Sequence, residues 1–326
     1  MKFKKITAAL ICASILLTGC SGKRGRTYED TLFDTVVKVK ILDKSDESVI
    51  KGCENICKKY NRLFSPDNKN SDVYKINHAK GKAVTVSDDT IAIIKKGLYY
   101  GKFSKGEFDI TIGSVSNLWD FRSGKKKVPA SHKINRQLNH VNYHSVLIHG
   151  NSVTLIDRHA KLDLGGIASG YVADRLKAYL RKEGVKHATI DLGGTIQTVG
   201  TKPDGSDFNI GIQKPFGKTG EVIASVKIAD QSVVTSGIYE SCFKKNNKLY
   251  HQVLSTSTGR PCKTDLYSVS IITDSSLTAD ALSTICLMYG YERAENVINQ
   301  LDNVDAIFIT NDGEIHYTNN FLKNHQ

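Results

Sequence analysis

The sequence predicts an α+β fold in which mixed sheets are flanked by helices. Three observations lead there. Forty per cent of the 326 residues are hydrophobic and only five are proline, a composition that buries a substantial core. Strand-like and helix-like stretches mix without the regular rhythm that marks a parallel α/β sheet. No repeat at solenoid period and no long low-complexity linker interrupts them.

The elements follow in chain order. Leu32 to Leu42 alternates as a strand does, and Ser45 to Tyr60 reads as a helix. Ser87 caps a helix that runs through Phe103, with Asp88 and Asp89 in its first turn, where acidic groups meet the positive end of the helix. Val146 to Ile156 is a hairpin turning at Gly150-Asn151. Ala168 to Glu183 has amphipathic helical spacing, and Gly184 stands where a left-handed glycine ends a helix. His187–Leu192, Thr195–Gly200, Phe208–Gln213, Glu221–Ile228 and Ser232–Thr235 are strand-like. Between Thr235 and Pro261 the chain reads as a hairpin with Asn246-Asn247 at its tip. A strand at Leu266–Thr273 leads into helices at Ser276–Tyr289 and Glu292–Leu301, and a last hairpin turns at Asn311-Asp312-Gly313.

The N-terminus speaks to location. Lys2, Lys4 and Lys5 precede an apolar run, Ile6 to Leu17, that is too short for a permanent membrane span. Leu17-Thr18-Gly19-Cys20 then resembles a lipobox, in which cleavage makes the cysteine the lipid-bearing first residue. The expected organisation is a signal peptide at 1–19, a polar tether at 20–31 and one folded domain at 32–320. The expected location is the extracytoplasmic face of the cell membrane, anchored at Cys20 by acyl chains alone. Losing three lysines with the signal takes the formal charge from +12 to +9. The remaining lysines are scattered, with no basic helix or aromatic-basic interleaving, so nucleic acid is not expected as a partner. The five cysteines after Cys20 (Cys53, Cys57, Cys242, Cys262 and Cys286) are odd in number and match no zinc or disulfide framework. Most read as small buried hydrophobes.

Four stretches carry chemistry. The first, KLDLGGIASGYVADRLKAYLRKEGVKHATIDLGG (Lys161–Gly194), holds two Asp-Leu-Gly-Gly tetrads around one helix pattern. Gly165 and Gly166 lie just before the helix start. Bare N–H groups and the positive dipole end there suit a phosphate, though a plain strand-to-helix turn would use the same glycines. The carboxylate of Asp163 beside it suits a ribose hydroxyl, a ring nitrogen or a metal. The second stretch, GEFDITIGSVSNLWDF, places Asp109 and Thr111 beside Phe108 and contains the lone tryptophan, Trp119, expected to pack. The third, TSGIYESCFKKNNKLYHQVLSTSTGRP, has hydroxyl-rich turns at both ends. In the fourth, DSSLTADALSTICLMYG, Asp280 and Thr284 are four apart and share a helix face. Their hard oxygens suit Mg²⁺ better than zinc, and Mg²⁺ keeps waters and takes substrate phosphates.

Taken together and in order, these stretches, with NRLFSPDNKNSDVYKIN, VVTSGIYES and TADALST, resemble the ApbE family of FAD:protein FMN transferases over about Leu32 to Ile309. The resemblance implies Mg²⁺ on Asp280, Thr284 and the backbone carbonyl of Gly166. It implies that Phe33, Glu107, Phe108, Asp109, Asp163 and Ser169 line the site for FAD, the substrate. The implied reaction moves FMN from FAD to a threonine of an acceptor protein, an exported or membrane redox protein, and releases AMP. The chain departs from the family pattern at several places. Ser169 replaces a charged residue, and Ile238 stands where an acidic one often follows Ser-Gly. In the family's His-Ile-Ile/Leu-Asp-Pro-x-Thr-Gly motif, the histidine position falls on Gln252, with His251 one residue earlier. The motif's Asp and Pro fall on Ser255 and Thr256. His251 and Gln252 are therefore both candidates for the catalytic hairpin. Since neighbours on a strand face opposite ways, His251 replaces residue 252 only if the register slips. The departures leave two other outcomes open: an FAD-binding lipoprotein without transfer, and an FAD pyrophosphatase giving FMN and AMP.

Overall fold

The computed structural model describes residues 25–121 and 125–325. The expected signal peptide and the lipidation site Cys20 lie outside the described residues.

An eight-stranded antiparallel sheet forms the centre, and its spatial order follows the chain. The strands are Arg26–Leu32, Thr35–Ile41, Ala188–Leu192, Thr195–Val199, Ser232–Gly237, Leu266–Thr273, Asp305–Thr310 and Ile315–Tyr317. Most other elements are inserted between neighbours, and the short helix Phe321–His325 follows the last strand. The helices Glu47–Phe64, Asp72–His78, Asp88–Phe103, Ser131–Leu138 and Ala168–Lys182 enter between the second and third strands, with a small sheet of Val84–Thr85, Ser152–Leu155 and Val146–His149. The pair Phe208–Gln213 and Val222–Ile228 enters between the fourth and fifth. The hairpin of Cys242–Lys245 and Lys248–His251 enters between the fifth and sixth, and the helices Ser276–Tyr289 and Tyr291–Ile298 between the sixth and seventh.

Both faces of the sheet are covered, which explains why its later strands are apolar throughout. Val234, Val269, Ile271, Ala306 and Phe308 face the helices in the main core. Their neighbours Val233, Ile272, Ile307 and Ile309 face the Phe208–Gln213 pair in a second core. A third cluster, of Val115, Trp119, Ile134, Phe243 and Leu254, joins the hairpin to the segment after Phe108.

The α+β reading and most elements match the sequence. Gly184, at φ +77°, ends its helix with the paired bonds Gly184 N–H to Arg181 O and Val185 N–H to Leu180 O, each 3.0 Å. Three differences have physical causes. Arg26–Leu32, read as tether, is an edge strand. Its half-buried face carries Arg26, Tyr28 and Asp30, so no apolar alternation betrays it. Its turn uses Phe33 and Asp34 at φ +53° and +58° rather than the Asn or Gly that hairpins favour. The first helix has Asp46 at its N-cap position, without a side-chain cap bond, and runs on to Phe64. The helices Asp72–His78 and Ser131–Leu138 are too short and polar to show a clear 3.6-residue period.

Candidate active site

The site grows from two helices that meet at their N-termini. In the first tetrad, Asp163 Oδ1 accepts the Gly165 N–H at 2.9 Å and Oδ2 accepts the Ser116 hydroxyl at 2.7 Å. The chain then enters the helix Ala168–Lys182, whose cap residue Ile167 offers no side-chain acceptor. One of the bare N–H groups is taken from outside: Gly170 N–H donates to Asp280 Oδ2 at 2.8 Å. Gly170 must be glycine, because a Cβ there would stand 2.3 Å from the Ser276 carbonyl. One turn later, Asp174 caps the second helix, accepting from the Ser275 hydroxyl (2.8 Å), Ser276 N–H (2.7 Å) and Leu277 N–H (3.2 Å).

Asp280 is 7 % exposed, and among the described residues no cationic side chain donates to it. Burial pushes its carboxyl up to about 7; the Gly170 N–H opposes the rise and the charge of Asp174 adds to it. Thr284 lies one turn on, with Ser236 Oγ 3.2 Å from its hydroxyl and 2.8 Å from Ser283 Oγ. A Cβ on Gly166 would lie 2.9 Å from the Phe108 ring and 3.9 Å from Thr284 Oγ1. Gly166, Phe108 and Thr284 are thus brought together beside the carboxylate. A buried carboxylate with no cationic partner among the described residues, a hydroxyl and a half-buried glycine backbone fit a hard cation such as Mg²⁺. Among the described residues no group of three or more His, Cys, Asp or Glu converges on a metal position. Substrate oxygens and water would therefore complete the coordination.

Sequence reasoning missed Glu240. It is half-buried, and burial followed by the charge of Asp280 pushes its carboxyl up to about 8. Its Oε1 lies 4.0 Å from where a Cβ on Gly194 would stand. The signal was present in VVTSGIYES, where the hydroxyls drew attention first. The second tetrad frames this corner. Asp191 Oδ1 accepts the Gly193 N–H at 3.0 Å, the same turn Asp163 makes, but Gly193 and Gly194 (φ +64° and +96°) turn a hairpin instead of starting a helix.

The residues assigned to FAD divide. Phe108 lies against Gly166, and Ser169 lies half-buried in the first helical turn. Asp109 is 6 % exposed and organises its own loop: Oδ1 accepts from Thr111 N–H and hydroxyl, and Oδ2 from Tyr143 N–H, all at 2.7 Å. Glu107 pairs with Arg293, whose guanidinium lies 3.4 Å from the Tyr289 ring centroid. Phe33 stands apart on the N-terminal hairpin turn, packed on the main core, with its N–H on Asn61 Oδ1 at 3.0 Å.

The hairpin keeps its register. Asn246 and Asn247 turn it at φ +49° and +57°, and Cys242 faces His251 across the strands. His251 points inward, 4 % exposed, with Nε2 3.2 Å from the Cys262 carbonyl and Nδ1 unpartnered. Burial lowers it to about 4, so it is neutral at pH 7. Gln252 faces outward and is exposed. The two candidates therefore occupy opposite faces, and His251 does not stand in for residue 252. Beyond them, Trp119 Nε1 donates to the Gly259 carbonyl at 3.0 Å, so this tryptophan packs and also holds the loop.

Fold and site together define the class of protein. The solved ApbE protein of Thermotoga maritima superposes with a TM-score of 0.85 at 27% identity, covering 93% of this chain and 100% of that one. The flavin transferase ApbE of Vibrio cholerae gives 0.81 at 23% identity, a likeness of fold, over 92% and 99%. In sequence, the FAD:protein FMN transferase of Klebsiella pneumoniae is 33% identical over 298 residues, 90% of this chain and 92% of the relative. That of Treponema pallidum is 28% identical over 329 residues, 94% and 91%. The ApbE family profile matches residues 33–308, and this chain belongs to the ApbE family.

Proposed function

We propose that this protein is an exported, Mg²⁺-dependent flavin transferase that moves FMN from FAD to a threonine of an acceptor protein. The observation that carries the reading is Asp280: a buried carboxylate with no cationic partner among the described residues, beside Thr284 and a glycine turn between two helix N-termini. Mg²⁺ held by Asp280, Thr284 and the Gly166 carbonyl would neutralise pyrophosphate charge. The two helix N-termini add positive potential on the same side. Asp163 is fixed by Ser116 and Gly165, ready to accept from a ribose or ring N–H. The threonine oxygen bonds to the FMN phosphorus, the bond to the AMP oxygen breaks, and AMP leaves. Gln252 is no base and His251 is buried on the opposite face, so neither takes the hydroxyl proton.

The same exposed Gln252 favours hydrolysis as a second reading, with water in place of threonine. One assay separates them. The mature chain is incubated with FAD, Mg²⁺ and a threonine-bearing acceptor, and AMP and acceptor mass are followed. A flavinylated acceptor is the expected result. AMP and FMN without acceptor modification would establish hydrolysis, and bound FAD without AMP would overturn both enzymatic readings.

A further inference from the structure

We propose that Thr256 and Arg293 clamp the Gly106–Asp109 loop from two sides, and that this clamp sets the affinity for FAD. The inference rests on the transferase reading and concerns residues outside the Mg²⁺ set. Thr256 occupies the position where the family motif has proline. A proline stiffens a loop through its fixed φ and offers no hydrogen-bond donor. Threonine lacks the ring, but here its hydroxyl donates to the Gly106 carbonyl at 2.8 Å, tying the hairpin loop to the FAD-side loop. The neighbouring departure is compensated in kind. Ser255 Oγ accepts the Ser257 N–H at 3.3 Å, the two-residue turn an aspartate would make at the same place.

The rest of the loop is anchored, so the bond transmits a fixed position. Leu254 is buried in the cluster with Trp119 and Phe243. Gly259, at φ +63°, holds the Trp119 indole on its carbonyl, and a Cβ there would stand 2.6 Å from Ile134. From the other side, Glu107 pairs with Arg293, whose guanidinium lies over the Tyr289 ring, 3.4 Å from its centroid. Gly106, at φ +86°, lies between these two points, and Phe108, one residue beyond Glu107, rests against Gly166. A shift of the loop therefore moves Phe108 away from the metal corner. Thr256 and Arg293 are positioning residues: they act on FAD through the loop.

The test uses the mature chain. Thr256→Val keeps the shape and removes the donor; KM and Kd for FAD are expected to rise about three- to tenfold, with kcat within about twofold. Thr256→Ser is expected to restore both values. Arg293→Ala should raise KM in the same sense, and the double variant should rise by less than the product of the two, because both act on one loop. Hydrogen exchange of the Glu107 and Phe108 amides, measured without FAD, should quicken in Thr256→Val. Unchanged KM with unchanged exchange would overturn the clamp, as would failure of the serine variant to restore it. If the wild-type chain binds no FAD, the transferase reading fails, and the exchange rates alone decide the clamp.

Discussion

At the scale of single residues, a buried histidine and three carboxyls set opposite pH responses. His251 has its native pKa lowered to about 4 from an ordinary 6.5. Between those values the unfolded chain binds the proton and the folded chain does not, so stability rises with pH and is lost as pH falls through this window. The full effect is roughly 3 kcal/mol as an upper bound. The raised carboxyls of Asp191, Asp280 and Glu240 have the other sign: their contribution is present at low pH and fades as pH rises through about 6 to 8. Urea unfolding of wild type and His251→Leu between pH 4 and 7 isolates the histidine. The difference between the two curves should narrow as pH falls; a constant difference would show that His251 is not the group responding. For Asp280, replacement by asparagine keeps an acceptor for Gly170 N–H and removes the charge. AMP release should fall at least a hundredfold while the fold survives, and unchanged turnover would exclude the metal assignment.

Elements, rather than residues, explain how the site is held rigid. The helices Ala168–Lys182 and Ser276–Tyr289 touch through Gly170 and are pinned by Asp174 at the next turn. Gly170→Ala forces its methyl onto a backbone carbonyl, which costs about 2–3 kcal/mol and lowers Tm by several degrees. It also displaces the N–H that orients Asp280, so Mg²⁺ affinity should drop in the same variant; calorimetric titration checks it. This scale also shows what the amino-acid sequence discloses. The hairpin register was readable because the side-chain period of a strand is two, which already put His251 and Gln252 on opposite faces. The strand Arg26–Leu32 was not, because a polar edge strand has no apolar stripe to read. That Asp280 and Thr284 share one helix face was legible from their spacing, and that Gly166 stands just before a helix was legible from the glycines and the amphipathic run after them. The inward use of Asp109 and the approach of Glu240 to Asp280 depend on tertiary packing between segments far apart in the chain, which spacing along one segment does not carry.

Over the whole molecule, the site joins Phe108, the turn at Asp163–Gly170, Glu240 and the helix of Asp280 and Thr284, all on insertions or strand ends of one sheet. We expect the lipid at Cys20 to keep this assembly at the membrane surface. Labelling with a fatty acid should mark the wild-type chain and not Cys20→Ser, in which the lipobox is lost and the signal segment stays uncut; labelling that survives the change would rule out Cys20 as the anchor.

Because the sheet order follows the chain, the order of emergence during synthesis or passage through a membrane matters. Each strand, as it appears, finds its neighbour already present, and no strand must wait for a distant partner. The corner around Asp280 behaves differently. Asp163 and Gly170 emerge early, but they stay without Asp280 until the sheet is nearly complete. The scaffold can therefore form progressively, while competence to hold the nucleotide arrives late and in one step.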